Sequence, residues 1–363
     1  MAHEDRELMA RALELAALGM FTTTPNPRVG CVIARDGQVL GEGWHERAGE
    51  AHAETRALAD ARERGHDTRG ATAYVTLEPC NHHARTPPCT EALLASGIAR
   101  VVAAMRDPYA PAARGADRLA AAGVAVEMGL LEEPARELNA GWIKRVETGR
   151  PWVRVKIASS LDGRTALENG ASQWITGPAA RADGHRWRAR ACAILTGIGT
   201  IRQDDPQLTV REVATPRQPM RIIVDRHGET PTQARVLAAG DVIVFTATPT
   251  TTLWPSHVRS RVLPDRDGRV DLAAMLDALG ELEINEVHVE AGARLNGALL
   301  AAGLVDELLV YVAPCVLGDP ARGMFEFPFA MTTMEDRITL RVRSIDPVGQ
   351  DWRIVARIDY AGR

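Results

Sequence analysis

Apolar and polar positions along the chain alternate between helical periods and short strand-like runs. Residues 4–19 (EDRELMARALELAALG) repeat with a helical period and end at Gly19, a C-cap residue. The loop TTTPNPRVG follows. Two predicted strands, Val29–Ala34 and Gln38–Gly43, flank Arg35-Asp36-Gly37, whose Asp-Gly pair is a hairpin signal. His52–Arg64, rich in Ala, Glu and Arg, reads as a helix and Thr72–Leu77 as a strand. Pro87-Pro88 marks the start of a helix over Thr90–Ser96. Ile98–Met105 is a further strand, and Arg114–Ala122 a helix closed by Gly123.

A polar stretch with Gly and Pro, Val146–Pro151, predicts a boundary between domains at 1–146 and 151–363. Beyond it Trp152–Ser159, Cys192–Gly197, Arg221–Asp225, Asp241–Thr246, Glu286–Glu290 and Glu307–Val312 read as strands. Pro178–Arg190, Leu272–Leu279 and Arg294–Ala302 read as helices. Strands alternating with helices of this length predict two α/β domains, each built on a central sheet.

Composition changes this picture by exclusion. The chain has 363 residues, 43 basic and 47 acidic. Up to Arg150 there are 18 basic and 21 acidic residues, net −3, which leaves 25 and 26, net −1, for the remainder. Neither half is the basic body of a nucleic-acid binder. No apolar run approaches the ~18 residues of a membrane span. The acidic start MAHEDRELMA lacks the features of a signal peptide, so a cytoplasmic protein is expected. Five scattered cysteines, Cys31, Cys80, Cys89, Cys192 and Cys315, argue against a disulfide framework. Only Cys80 and Cys89 are clustered, and buried packing is the expectation for the other three.

Three predicted element ends carry candidate chemistry. His52-Ala53-Glu54 opens a helix, Pro79-Cys80 follows a strand, and Cys89 opens the next helix. A catalytic zinc takes three protein ligands and keeps an open position for water, and His52, Cys80 and Cys89 supply three. Glu54 is the candidate acid/base, moving a proton from that water to a leaving amine. H-x-E followed by P-C-x-x-C is the signature of zinc nucleobase deaminases; here eight residues separate the cysteines. Alone, His52 reads as an ordinary surface histidine and either cysteine as a small buried residue. Together, at these element ends, they read as a metal site. His82 or His83 could compete as a ligand. The second half offers less: Val287–Gly297 runs from a strand through a Gly-containing turn into a helix, where free amides can receive phosphate. An ordinary strand-to-helix connection reads the same way.

The segments HAET, TLEPCNHHARTPPC and TPNPRVGCVI resemble the deaminase half of the bifunctional riboflavin-biosynthesis deaminase/reductase family, with Ala84 where that family usually has Gly. VKIASSLDGRTA, GASQWITG, ILTGIGTIRQDDPQLTVR and VEAGARLNGALLAAGLVDEL are similar to its reductase half. The resemblance implies an α/β chain with a cytidine-deaminase-like N-terminal domain and a dihydrofolate-reductase-like C-terminal domain that uses NADPH. It implies that Asn26 bonds the substrate base. It places Ala158, Trp174, Thr200, Asp204, Arg226 and the turn Gly292, Ala293, Arg294, Leu295, Asn296, Gly297, Ala298 against the nucleotide. It places Ser172, Arg188, Leu208, Arg211 and Glu290 against a ribosyl phosphate, with Arg188 and Arg211 suited to clamp phosphate bidentately. Lys156, one of two lysines in the chain, is expected to face the sugar and assist hydride addition. Homo-oligomerisation is expected by analogy. Two rivals remain at this stage: a base deaminase acting on a polynucleotide, and a non-enzymatic protein stabilised by a fully ligated zinc.

Overall fold

The computed structural model describes residues 2–82 and 87–360, so His83 and Ala84 lie outside the described residues. The chain forms two compact units that divide between Gly149 and Arg150. In the first, the order is α1 (Ala2–Leu18), β1 (Gly30–Arg35), β2 (Gln38–Trp44), α2 (Ala53–Glu63), β3 (Thr72–Val75), α3 (Cys89–Ala95), β4 (Arg100–Ala103), α4 (Gly115–Ala121), β5 (Ala125–Met128), α5 (Glu132–Leu138) and α6 (Ala140–Thr148). The five strands form one sheet in the order β2-β1-β3-β4-β5. β1 is antiparallel to both neighbours, while β3, β4 and β5 run parallel.

The hairpin forms as expected, with Asp36 and Gly37 both at positive φ (51° and 77°), the backbone that a two-residue turn between twisted strands requires. Small residues set how closely the helices approach. A Cβ on Gly30 would fall 2.0 Å from the Ala12 carbonyl oxygen of α1. A Cβ on Gly43 would fall 2.5 Å from the Ala57 nitrogen of α2. Gly43 pairs with Cys31, one position along from Gly30, so α1 and α2 lie on opposite faces of the sheet. Ala53, Ala57 and Ala61 recur every fourth residue, and all are buried in the seam of α2. This seam fixes the first turn of α2, where the candidate metal chemistry sits. Residues 146–148, expected as linker, complete α6 instead; β5, α5 and α6 are short and were absent from the expectation.

The second unit contains β6 (Trp152–Ser160), β7 (Arg164–Ala166), α7 (Pro178–Arg190), β8 (Ala193–Gly197), α8 (Ile198–Asp204), β9 (Met220–Val224), β10 (Val242–Thr246), β11 (Val258–Val262), α9 (Leu272–Glu281), β12 (Glu286–Val289), α10 (Ala293–Ala301), β13 (Glu307–Ala313), β14 (Arg322–Gly323), β15 (Thr339–Val348) and β16 (Asp351–Asp359). Nine strands form a sheet in the order β11-β10-β9-β8-β12-β6-β13-β16-β15. The seven from β11 to β13 are parallel, and the last two pair antiparallel. Strands β8 and β10 are almost wholly apolar, as a sheet covered on both faces requires.

One face of that sheet is an exception. Arg154 on β6 is 2% exposed and bonds Glu286 on β12 and Glu307 on β13, both also buried. The ring of Trp187 on α7 lies 4.5 Å from the Arg154 guanidinium. Because strand side chains alternate, Lys156 shares the face of Arg154, and His288 and Glu290 share that of Glu286. A buried polar row therefore leads toward the carboxyl ends of the strands.

Candidate active sites

In the first unit three elements deliver the metal-ligating groups. His52 is the N-cap of α2, Cys80 lies in the loop after β3, and Cys89 is the first residue of α3. His52 Nδ1 lies 3.5 Å from Cys80 Sγ and 3.3 Å from Cys89 Sγ, and the three donor atoms fall within 4.8 Å of one another. Tetrahedral zinc with its usual Zn–N and Zn–S bonds needs neighbouring donors about 3.5–3.8 Å apart, so the donor set fits this ion. The Cys89 amide donates to Cys80 Sγ at 3.4 Å. The Cys80 thiol is drawn down to about 4, first by its hydrogen bond with Cys89 and further by His52, against the cost of burial. Thiolate is the form that binds metal.

Glu54, two residues into the same turn, is buried, and its carboxyl is raised above the ordinary range by burial and then by the Cys80 charge. His82 is not part of the donor cluster; its ring meets Tyr109 edge-on with centroids 6.5 Å apart.

Asn26 brings in a residue the sequence reading passed over. Its Nδ2 donates to Nε2 of buried His45 at 3.0 Å, and His45 Nδ1 donates to the Ala51 carbonyl at 3.2 Å. The His45 ring stands edge-on to His52, centroids 5.3 Å apart. His45 sits at the end of β2, and only its place seven residues before His52 could have drawn notice. Half-buried Asp107 was passed over too; burial first, and then the charges of Glu78, Cys80 and Glu54, push it up to about 7.

The second unit has an open cleft of ≈ 1680 Å³ at the carboxyl ends of its parallel strands. It gathers Lys156, Ala158, Ser172, Trp174, Arg188, Thr200, Asp204, Leu208, Arg211, Arg226 and Glu290. It also gathers Gly292, Ala293, Arg294, Leu295, Asn296 and Ala298. The expected turn at 292–298 is shorter than predicted: Gly292 is the N-cap, and α10 begins at Ala293. Gly297 does not line the cleft. A Cβ there would fall 2.1 Å from the Glu326 carbonyl oxygen, so Gly297 serves close packing of α10. The short Gly197-Ile198-Gly199 segment, set aside in the sequence, lines the cleft as the β8-to-α8 junction beside Gly292, because β8 and β12 are neighbours. Space in front of Gly199 and Gly292 is open, which a bound dinucleotide needs at helix N-termini.

Nine arginines and Lys156 line the cleft against four carboxylates, Asp204, Glu212, Glu290 and Glu326. Arg188 does not present a free fork: Nε and Nη2 donate to the two Glu290 oxygens and Nη1 to the Thr209 carbonyl. A phosphate expected at this residue would therefore have to share the fork with Glu290. Burial disfavours the Glu290 charge, but Arg188 outweighs it and holds the carboxyl well below its usual range. Lys156 is lowered by burial, an effect that Glu290 opposes and Arg188 reinforces. Tyr311 and His185, unremarked in the sequence, also line the cleft; the Lys156 ammonium sits 5.8 Å from the Tyr311 ring centre. Among the three unassigned cysteines, Cys31 and Cys192 are buried as expected, whereas Cys315 is half-buried.

Comparison with known proteins assigns both halves. Residues 2–105 match the cytidine and deoxycytidylate deaminase zinc-binding region, and residues 151–354 match the RibD C-terminal domain. The chain is 48% identical to the riboflavin biosynthesis protein RibD of Escherichia coli over 362 residues, covering 96% of this chain and 98% of that one. The chain belongs to the RibD family.

The riboflavin biosynthesis protein RibD of Aquifex aeolicus is 38% identical over 354 residues, 96% of each chain. Among solved structures, Acinetobacter baumannii RibD gives a TM-score of 0.89 at 41% identity, covering 99% of this chain and 100% of that one. A Thermotoga maritima diaminohydroxyphosphoribosylaminopyrimidine deaminase/5-amino-6-(5-phosphoribosylamino)uracil reductase gives 0.91 at 34%, covering 98% and 99%. The RibD-family chain is a bifunctional enzyme of riboflavin biosynthesis, with a zinc-binding deaminase domain and an NADPH-dependent reductase domain. A polynucleotide substrate is not favoured. Among the described residues no helix is long and apolar enough to cross a membrane.

Proposed function

We propose that residues 1–146 replace the 2-amino group of 2,5-diamino-6-ribosylamino-4(3H)-pyrimidinone 5′-phosphate with oxygen, and that residues 151–363 then reduce its ribosyl side chain to ribityl. His52, Cys80 and Cys89 hold zinc, which supplies the Lewis-acid chemistry that lets water attack at neutral pH. Glu54 takes a proton from the attacking water and passes it to the departing amine, which leaves as ammonia. Asn26, steadied by His45, bonds the pyrimidine.

In the second unit the nucleotide lies along Ala158, Trp174, Thr200, Asp204, Arg226 and the start of α10. The sugar phosphate meets Ser172, Arg188, Leu208, Arg211 and Glu290. Lys156 donates a hydrogen bond or proton to the sugar as hydride adds. The observation that carries this second assignment is the cleft's excess of ten cationic side chains over four carboxylates, which suits two phosphorylated ligands at once. The chain acts in the cytoplasm as a homo-oligomer. An exposed apolar strip on the edge strand and its neighbour, formed by Leu340, Val342, Ile345 and Trp352, supports self-association.

Mass spectrometry of the diaminopyrimidinone ribosyl phosphate after incubation with zinc-loaded protein tests both steps. Exchange of amine for oxygen without NADPH, and a gain of two hydrogens only with it, is the expected result. Neither change in folded, zinc-loaded protein would overturn the reading.

A further inference from the structure

The polar row beneath the reductase cleft contains one side chain that its contacts do not explain. His288 is fully buried on β12, and neither ring nitrogen has a hydrogen-bond partner among the described residues. Buried polar groups are almost always paired, and an exception calls for a cause. The groups on the inner side of the row are already matched: Arg154 bonds Glu286 and Glu307, and Arg190 adds a second bond to Glu286. On the outer side, His288 Nε2 lies 3.5 Å from Glu290 Oε1. Glu290 receives one bond on each oxygen from Arg188, and a carboxylate oxygen can accept two.

We propose that His288 is a positioning residue for the reduction, its Nε2–H serving as the second donor to Glu290 and holding that carboxylate in place when a bound sugar phosphate competes for Arg188. The alternation of β12 aims the imidazole along the row toward Glu290. Arg188 lies on α7 and can follow a ligand; His288 sits in the sheet and cannot. A carboxylate tied only to Arg188 would move with it, and the position of Lys156 beside Glu290 would be lost. This role rests on the reading that Lys156 and Glu290 serve the reduction.

The test compares His288→Leu, His288→Gln and Glu290→Gln in the full zinc-loaded chain. The probes are NADPH and 5-amino-6-(5-phosphoribosylamino)uracil, with deamination as the internal control. His288→Leu is expected to lower reductase kcat/KM about 10- to 100-fold through kcat and the KM for the sugar phosphate, as loss of a bond to a charged group implies. NADPH affinity and deamination stay unchanged. His288→Gln, whose side-chain N–H reaches the place of Nε2, recovers most of the rate. A merely structural histidine predicts the reverse: leucine removes an unpaired polar group, so the protein would be as active and more stable. Wild-type kinetics in His288→Leu, or equal impairment in folded His288→Gln, would overturn the proposal. Should His288→Leu not fold, the imidazole ¹⁵N signals of the wild-type chain decide: movement of Nε2 on saturation with the sugar phosphate supports the role, and no movement refutes it. Full reductase activity in Glu290→Gln would instead strike at the assignment of Glu290 itself.

Discussion

Arg188 and Glu290 meet through two parallel hydrogen bonds, Nε to Oε1 at 2.5 Å and Nη2 to Oε2 at 2.8 Å, on the wall of the reductase cleft. The pair is about 15% exposed on each side, so solvent screens it little. A lysine in place of Arg188 would bring the charge but not the planar fork. Arg188→Lys is therefore expected to raise the KM for the sugar phosphate about 10-fold or more, the value of one lost charge-assisted bond. Deamination is expected to be unaltered. Steady-state kinetics of both half-reactions check this, and an unchanged KM would mean that the ion pair is not used in binding.

Zinc and Glu54 divide the deaminase chemistry between binding and proton transfer. Cys89→Ser removes a thiolate donor, so zinc content and deaminase activity fall together. Glu54→Gln keeps all three donors, so zinc content is expected to stay at one per chain while deamination drops about 10²- to 10⁴-fold. Chelation should abolish deamination and spare NADPH-dependent reduction. Metal analysis alongside the two assays separates these outcomes. Loss of zinc in Glu54→Gln would make the carboxylate a ligand.

The metal site was legible because its chemistry restricts residue type and places donors at element ends: His52 caps α2 and Cys89 opens α3, as expected. His45 was not legible, since nothing local distinguishes a histidine at the end of a strand from one on a surface. The reductase cleft was read through resemblance more than through residue chemistry. Its groups come from β6, β8, β9 and β13, the end of β12 and the segments between them, and no spacing in sequence reveals that β8 and β12 are neighbours. The same non-local pairing turned Arg188 toward Glu290, 102 residues away. The β15–β16 hairpin escaped because its outer strand is largely exposed and its charges interrupt the apolar alternation.

Lys156 sets a pH limit on reduction. Burial lowers its pKa, with Glu290 opposing and Arg188 assisting. The protonated amine is therefore lost as pH rises through a value below the ordinary 10.5 of lysine, and the rate falls with it. The reductase profile is expected to have an alkaline limb below pH 10.5 that moves upward in Lys156→Arg, whose guanidinium stays charged. Glu290 adds no acid limb near its usual range, because its carboxyl remains ionised well below it. Linkage gives the matching sign for stability. The unfolded chain binds the Lys156 proton where the folded chain does not, so between the two pKa values stability rises with pH.

Arg154 tests how the second sheet tolerates charge. Its guanidinium is 2% exposed and is balanced by Glu286 and Glu307, which are 1% and 3% exposed. Glu286 has a second cation in Arg190, at 2.8 Å, whereas Glu307 is paired with Arg154. Arg154→Met should thus leave the Glu307 charge uncompensated and destabilise the second unit by about 3–5 kcal/mol. Adding Glu307→Gln removes that charge and is expected to restore a large part of the loss, because an apolar–neutral pair avoids the desolvation cost of the ions. Calorimetry of the two variants checks the order. If Arg154→Met and the double variant unfold at the same temperature, Glu307 has found another partner and the triad does not act as a unit.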